Sequence, residues 1–132
     1  MSDTNEATDS RKTAQTTVRT GRALVAIGAV FAACAVALAA YASHGVDGEA
    51  RMRLQTAAAF AFGHGIALAA LAPHCARRLG VAALMALAVG TVLFSGSLAS
   101  AHFFGSPTRL APIGGSTMIV GWLLYAIDAW RR

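Results

Sequence analysis

Four long apolar segments, separated by short polar links, dominate the chain. They cover residues 23–42, 54–72, 79–101 and 110–129. Each approaches or exceeds the roughly 17 to 25 residues that an α-helix needs to cross about 30 Å of hydrocarbon. The pattern therefore predicts an all-α membrane protein, in which residues 23–130 form a bundle of four transmembrane helices.

A soluble four-helix bundle is the competing architecture, and it would need a polar face on every helix. These segments are apolar on all sides: in residues 23–42 the only side chains with polar character are Cys34 and Tyr41. The composition agrees, because only 13% of the residues are charged and 56% are hydrophobic, against about 25% charged in an ordinary soluble domain. The sequence favours a multi-pass protein of the cell membrane, with the lipid bilayer as its first partner.

Residues 1–22 form a polar leader without apolar periodicity, so we expect disorder there, at the membrane surface. This basic leader, the apolar run and the triplet Ala40-Tyr41-Ala42 together imitate a secretory signal. Signal cores are typically about 7 to 15 residues long, and this run is longer. The sequence therefore predicts a retained first span.

The positions of the basic residues predict the orientation. Eight would lie on one side of the membrane, namely Arg11, Lys12, Arg19, Arg22, Arg77, Arg78, Arg131 and Arg132, and three on the other, namely Arg51, Arg53 and Arg109. Short cytoplasmic segments retain positive charge, so both termini are predicted to be cytoplasmic. The basic residues are dispersed and no soluble fold presents them, which argues against a nucleic-acid partner.

Small residues in the spans predict how the helices associate, because glycine and alanine let backbones approach closely in lipid. Pairs of small residues four apart occur at Gly28 and Ala32, at Gly65 and Ala69, and at Gly96 and Ser100. In the third and fourth spans the glycines predicted to pack helices are Gly90, Gly96, Gly114, Gly115 and Gly121.

His64 is the sharpest candidate for chemistry, because it lies ten residues into the second span, about 15 Å from its outer end. Ionisable groups at that depth are costly and are functional candidates by default. With Ser95 and Ser97 it forms a candidate intramembrane polar site. The structural alternative is a neutral histidine that is hydrogen-bonded across the bundle, with serine hydroxyls that serve local packing.

The other polar side chains give weaker signals. His44 and His102 fall at the outer ends of the first and third spans and form a candidate outer-face site, but a zinc or copper site would need further ligands, so no metal is predicted. Asp128 lies three and four residues before Arg131 and Arg132, which predicts an ion pair at the surface.

Two stretches of the sequence resemble a known family. The stretch Gly90-Thr-Val-Leu-Phe-Ser-Gly-Ser-Leu98, followed by Pro112-Ile-Gly-Gly115 and Gly121-Trp122, is similar to the paired signatures of the YgdD-like family. Ala40-Tyr-Ala-Ser-His44 and Phe60-Ala-Phe-Gly-His64 resemble its upstream motifs. These are small four-span membrane proteins of unknown function with bacterial inner-membrane members. The resemblance implies four spans and a bacterial inner-membrane location, and it implies no catalytic residues.

The sequence contains no signature of an enzyme: it has no Gly-x-Ser-x-Gly, paired carboxylates, phosphate loop or metal-spaced cysteine cluster. We therefore expect a noncatalytic integral membrane protein without a cofactor, which acts by packing with itself or with a larger membrane partner. The alternative is a small transport or sensing element with a polar pathway around His64.

Overall fold

The computed structural model describes the backbone of residues 2–131 and the side chains of residues 8–131, and helices account for nearly all of this part of the chain. The four helices are α1 (Ser2–Gly45), α2 (Gly48–Leu71), α3 (Arg78–Phe104) and α4 (Leu110–Trp130), and a short 3₁₀ turn (Ala72–His74) follows α2. Gly105, with φ of 65°, ends α3 in the left-handed conformation that favours glycine.

The predicted fold class is confirmed, because all four helices are long and apolar enough to cross a membrane. Short links make successive helices antiparallel. One end of the bundle, here called the terminal face, therefore carries both chain ends and the connection 72–77. The opposite end, the loop face, carries the turns 46–47 and 105–109.

The sequence predicted disorder in the polar leader, whereas in the structure α1 begins at Ser2 and runs without interruption for 44 residues. Such a helix is about 66 Å long, roughly twice the hydrocarbon thickness. Once the span has formed, each further residue adds a backbone hydrogen bond without a new nucleation step. We call residues 2–22 of α1 the α1 extension. Gly21, near its end, is buried, and a Cβ there would lie 3.5 Å from the carbonyl oxygen of Ala72, so the extension meets the bundle at this point.

Helices α1 and α2 cross where two of the predicted pairs of small residues meet, Gly28 with Ala32 and Gly65 with Ala69. A Cβ on Gly28 would lie 2.5 Å from the Gly65 carbonyl oxygen and 2.8 Å from the Ala69 nitrogen. A Cβ on Gly65 would lie 2.7 Å from the Gly28 carbonyl oxygen and 2.9 Å from the Ala32 nitrogen. The two backbones are in direct contact, as close packing in lipid requires.

Helices α3 and α4 cross in the same way, through Gly90 and Gly114. A Cβ on Gly90 would meet the Gly114 carbonyl oxygen at 2.9 Å, and a Cβ on Gly114 would meet the Gly90 carbonyl oxygen at 2.7 Å and the Phe94 backbone nitrogen. Two turns further along α4, Gly121 accommodates the Leu87 side chain, which is fully buried. Three of the five predicted packing glycines therefore lie at this crossing.

Gly96 and Gly115 do not behave as predicted. Gly96 is exposed, and nothing lies within 4 Å of the position that a Cβ would occupy there. A Cβ on Gly115 would contact the Phe94 ring alone, at 3.8 Å. The prediction that Gly96 packs helices is wrong within this chain, since that side of α3 faces away from its neighbours.

The two helix pairs join through α2 and α3, whose buried leucines Leu68, Leu84 and Leu87 form the centre of the apolar core. Helix α4 is peripheral. Its buried residues, Ala111, Gly114, Met118, Gly121 and Asp128, follow one stripe at spacings of three, four and seven, and this stripe faces α3. Most of the remaining surface of α4 is apolar and exposed, as a lipid-facing helix requires.

Candidate functional site

The candidate intramembrane site centres on His64, in the middle of α2. Its Nδ1 lies 2.8 Å from the carbonyl oxygen of Phe60, one turn earlier in the same helix. Its Nε2 lies 3.2 Å from Nε1 of Trp122, on α4. Both ring nitrogens therefore have partners, and the second of them connects two helices that otherwise touch little.

The partners of His64 determine its tautomer. A carbonyl oxygen only accepts hydrogen bonds, so Nδ1 carries the proton, and its N–H donates a hydrogen bond to the Phe60 carbonyl oxygen. An indole N–H only donates, so Nε2 offers its lone pair to Trp122. This arrangement fits the neutral imidazole, because an imidazolium would point an Nε2 proton at the indole N–H.

Aromatic rings continue on both sides of this hydrogen bond. Ring centroids are 4.7 Å apart for Phe94 and Phe60, 5.9 Å for Phe60 and His64, 6.0 Å for His64 and Trp122, and 6.2 Å for Trp122 and Tyr125. Phe60 and Trp122 are 42% and 40% exposed, so this row of rings lies on the lipid-facing surface and not in the bundle centre. We call it the aromatic row.

The two serines predicted to join His64 do not contact it. Ser95 is buried, and its hydroxyl donates across the helix interface to the carbonyl oxygen of Ala57 at 2.9 Å. The Ser97 hydroxyl is also buried and has no hydrogen-bond partner among the described residues. Ser95 thus ties α3 to α2, and among the described residues these serines and His64 make separate contacts.

The predicted outer-face site is only partly assembled, at the loop face. His102 lies on α3 with its Nε2 3.2 Å from the hydroxyl of Tyr41, on α1, and its ring contacts Phe103. His44 is exposed on the last turn of α1. Within the described chain, no group of three His, Cys, Asp or Glu residues is placed to hold a metal ion. Of these two histidines, His102 is therefore the one that bonds to another helix, through the hydroxyl of Tyr41.

Asp128 was expected at the surface, in an ion pair with Arg131 and Arg132; the surface placement is wrong, and the side chain of Arg132 lies outside the described residues. The Asp128 side chain is fully buried, and its Oδ1 lies 3.6 Å from Nε of Arg77, in the connection before α3. Arg77 also donates from a terminal nitrogen to the Arg131 carbonyl oxygen at 3.0 Å. One half-exposed arginine therefore joins the start of α3 to the end of α4.

The carboxylate of Asp128 also lies at the first turn of α3, where a Cβ on Gly80 would be 2.9 Å from Oδ2. That turn contains no acidic residue of its own, and the residue before it provides no side-chain cap. The first turn of a helix carries partial positive charge, so an anion there is stabilising. Asp128 supplies from α4 the negative charge that α3 lacks.

The hydrogen bond between His64 and Trp122 can be measured with a double-mutant cycle. We expect His64→Leu and Trp122→Phe each to lower the free energy of unfolding by about 1 kcal/mol, and the double variant to cost little more than either one. His64→Gln keeps a donor and an acceptor and should retain most of the stability. Unfolding in mixed micelles, followed by circular dichroism, gives the coupling energy; strictly additive losses would show that the two side chains do not interact.

Comparisons with known proteins match most of this architecture. Residues 38–115, which include α2 and α3, match a family described as "Protein of unknown function (DUF423)". The chain is also 30% identical over 116 residues to a "UPF0382 membrane protein" of Haemophilus influenzae, a match that covers 82% of this chain and 91% of that protein. No solved structure matches the chain.

These matches agree with the resemblance to an uncharacterised family of small membrane proteins, although the narrower YgdD-like assignment remains a prediction. The relative from H. influenzae is itself described as a membrane protein. Together with the four apolar helices, this identifies the chain as a multi-pass membrane protein in contact with lipid.

Proposed function

Since this chain belongs to the DUF423 family, whose description assigns no activity, we propose from its structure that it is a noncatalytic integral membrane protein that acts by association within the bilayer. The associating surface is the aromatic row between α2 and α4. The partner is a second copy of the chain or another membrane helix.

One observation supports this proposal more than any other: a polar pair lies near mid-membrane on the outer surface of the bundle. The imidazole of His64 and the indole N–H of Trp122 meet between two helices that pack little against each other. Polar groups within a membrane usually face the protein interior, because lipid offers them no hydrogen bonds. A partner helix laid over the row would shield this pair.

A second feature of the same surface is room for a close approach. Gly63, next to His64, is exposed, and nothing lies within 4 Å of the position that a Cβ would occupy. A glycine beside a polar pair lets a partner backbone come near enough for weak contacts to accumulate, which is how helices associate in lipid. The exposed rings of Phe60 and Trp122 would then pack against that partner.

Site-specific photocrosslinking in intact membranes tests this surface. A photoreactive phenylalanine analogue replaces Ile119, which is 63% exposed and one turn before Trp122 on α4. The control replaces Val30, which is 58% exposed on the outward side of α1. We expect a discrete protein adduct from position 119 and lipid adducts alone from position 30. Equal protein capture at both positions, or none at either, would overturn the proposed surface.

The orientation is part of the same proposal: both termini face the cytoplasm. The eight-to-three distribution of basic residues between the terminal face and the loop face supports it. A reporter that is active only in the cytoplasm should work when fused after Arg132 and fail when inserted in the loop 46–49. A working loop fusion together with a silent terminal fusion would reverse the orientation.

A further inference from the structure

Two neighbouring arginines at the terminal face have different environments. Arg77 is held by Asp128 and by the Arg131 carbonyl oxygen. The Arg78 side chain is exposed, and so is that of Lys12 on the α1 extension. Among the described residues, ion pairs are made by Arg53 and Arg77, whereas the side chains of Lys12 and Arg78 make none. Two cations on different helices are therefore available to a ligand.

Lys12 and Arg78 line one cleft, between the α1 extension and the start of α3, with a volume of about 410 Å³. None of the described residues that line it is acidic. Three of the four threonines that line the cleft use their hydroxyl protons on their own helix: Thr16, Thr17 and Thr20 donate to carbonyl oxygens four residues earlier, at 2.9, 3.0 and 3.0 Å. The charged donors for an anion in this cleft are consequently the ammonium and the guanidinium.

The α3 side of the cleft is apolar beyond Arg78 and runs towards the membrane centre, opposite the threonines of α1. Val81, Ala82 and Met85 line it along α3, and Met85 lies seven residues, about 10 Å, deeper towards the membrane centre than Arg78. Beyond Met85, which is 50% exposed, the same side of α3 continues through the exposed Val89 and Val92. Cations thus lie at the membrane surface and an apolar track leads from them into the bilayer.

We propose that this cleft binds an anionic phospholipid, with its phosphate between Lys12 and Arg78 and one acyl chain along Val81, Ala82 and Met85. Basic pockets between helices recognise anionic headgroups in this way, and each cation near the membrane surface contributes about a fivefold gain in affinity. The site is separate from the aromatic row, so it does not depend on the function proposed above.

Native mass spectrometry of the full-length chain in dodecyl maltoside tests the proposal. Dioleoylphosphatidylglycerol and dioleoylphosphatidylcholine are added in equal amounts. The unmodified chain should retain phosphatidylglycerol at least tenfold more than phosphatidylcholine. The double variant Lys12→Gln/Arg78→Gln should lose about 25-fold in affinity for phosphatidylglycerol, which removes the preference. A double variant that keeps the preference would overturn the site.

The matched control is Arg11→Gln/Arg19→Gln, which also removes two positive charges, both from positions on the α1 extension that do not line the cleft. It should keep the preference for phosphatidylglycerol; an equal loss would reveal a diffuse charge effect and overturn the proposed site.

Sodium phosphate at 10 mM should leave the lipid bound, because phosphate lacks the acyl chain that contacts the cleft. Complete displacement of the lipid would indicate a site for free anions and overturn the lipid site. Circular dichroism checks folding, and the single variant Lys12→Gln, on the exposed extension, should lower the affinity about fivefold.

Discussion

Replacing Gly114 with leucine should separate α4 from α3 and cost about 3 kcal/mol or more in the free energy of unfolding, the upper range for overpacking a close contact. A Cβ alone at this position would lie 2.7 Å from the Gly90 carbonyl oxygen, which cannot move without displacing its helix. Backbone atoms line this contact, so no flexible side chain can give way. Unfolding in mixed micelles, followed by circular dichroism, measures the loss.

Gly96→Leu is the matched control, since it makes the same chemical change on the adjacent helix at an exposed position without neighbours. We expect a change of less than about 0.5 kcal/mol, as for other surface substitutions. If both variants lost the same stability in monomeric micelles, the crossing of α3 and α4 would not lie at Gly90 and Gly114.

The second large effect is expected at Asp128. Asp128→Leu removes the buried carboxylate from Arg77 and from the first turn of α3. Breaking a fully buried ion pair costs about 3 to 5 kcal/mol, and the half exposure of Arg77 reduces the expected loss to about 2 to 3 kcal/mol. Asp128→Asn keeps the shape of the side chain and loses its charge, so it should lower the free energy of unfolding by less than Asp128→Leu does.

The control for Asp128 is the ion pair between Arg53 and Glu49 near the loop face. Its nitrogen and oxygen are closer, at 2.7 Å against 3.6 Å, yet the Glu49 side chain is 81% exposed. Solvent screens such pairs, so Glu49→Gln should cost about 0.5 kcal/mol or less. A larger loss at Glu49 than at Asp128 would show that distance outweighs burial here.

The sequence predicted the spans because lipid requires apolar residues on all sides of a helix, and that requirement is visible residue by residue. The same requirement hides which side of a helix meets its neighbour. Gly90 and Gly96 lie six residues apart, about 240° around the helix, so they cannot both face α4. With no polar face to orient α3, the sequence alone could not distinguish them.

Asp128 could have been placed correctly from the sequence. It follows Gly121 by seven residues and Gly114 by fourteen, close to whole numbers of turns, so it shares their side of α4. The proximity of Arg131 and Arg132 suggested a surface pair instead. Arg77, the partner of Asp128, lies more than fifty residues away from it in the sequence, and so does Trp122 from His64. Contacts between such distant residues depend on how the helix pairs dock.

The polar leader shows a second reason why the sequence alone was not sufficient. Its composition is that of a disordered segment, yet it continues α1 because a helix that is already formed extends at little cost. Composition describes a segment in isolation, and this segment is attached to a transmembrane helix. At the junction of extension and span, the buried Gly21 lies beside Ala72 of the bundle.

The proposed association of this protein within the bilayer is tested most directly by the mass of its complexes in native lipid. Membranes at native expression level are extracted into polymer-bounded lipid discs without detergent, and the complexes are weighed by native mass spectrometry. We predict a species that contains two or more copies of the 13.5 kDa chain, or one copy with another membrane protein. A single chain of 13.5 kDa with lipid alone would contradict association within the bilayer.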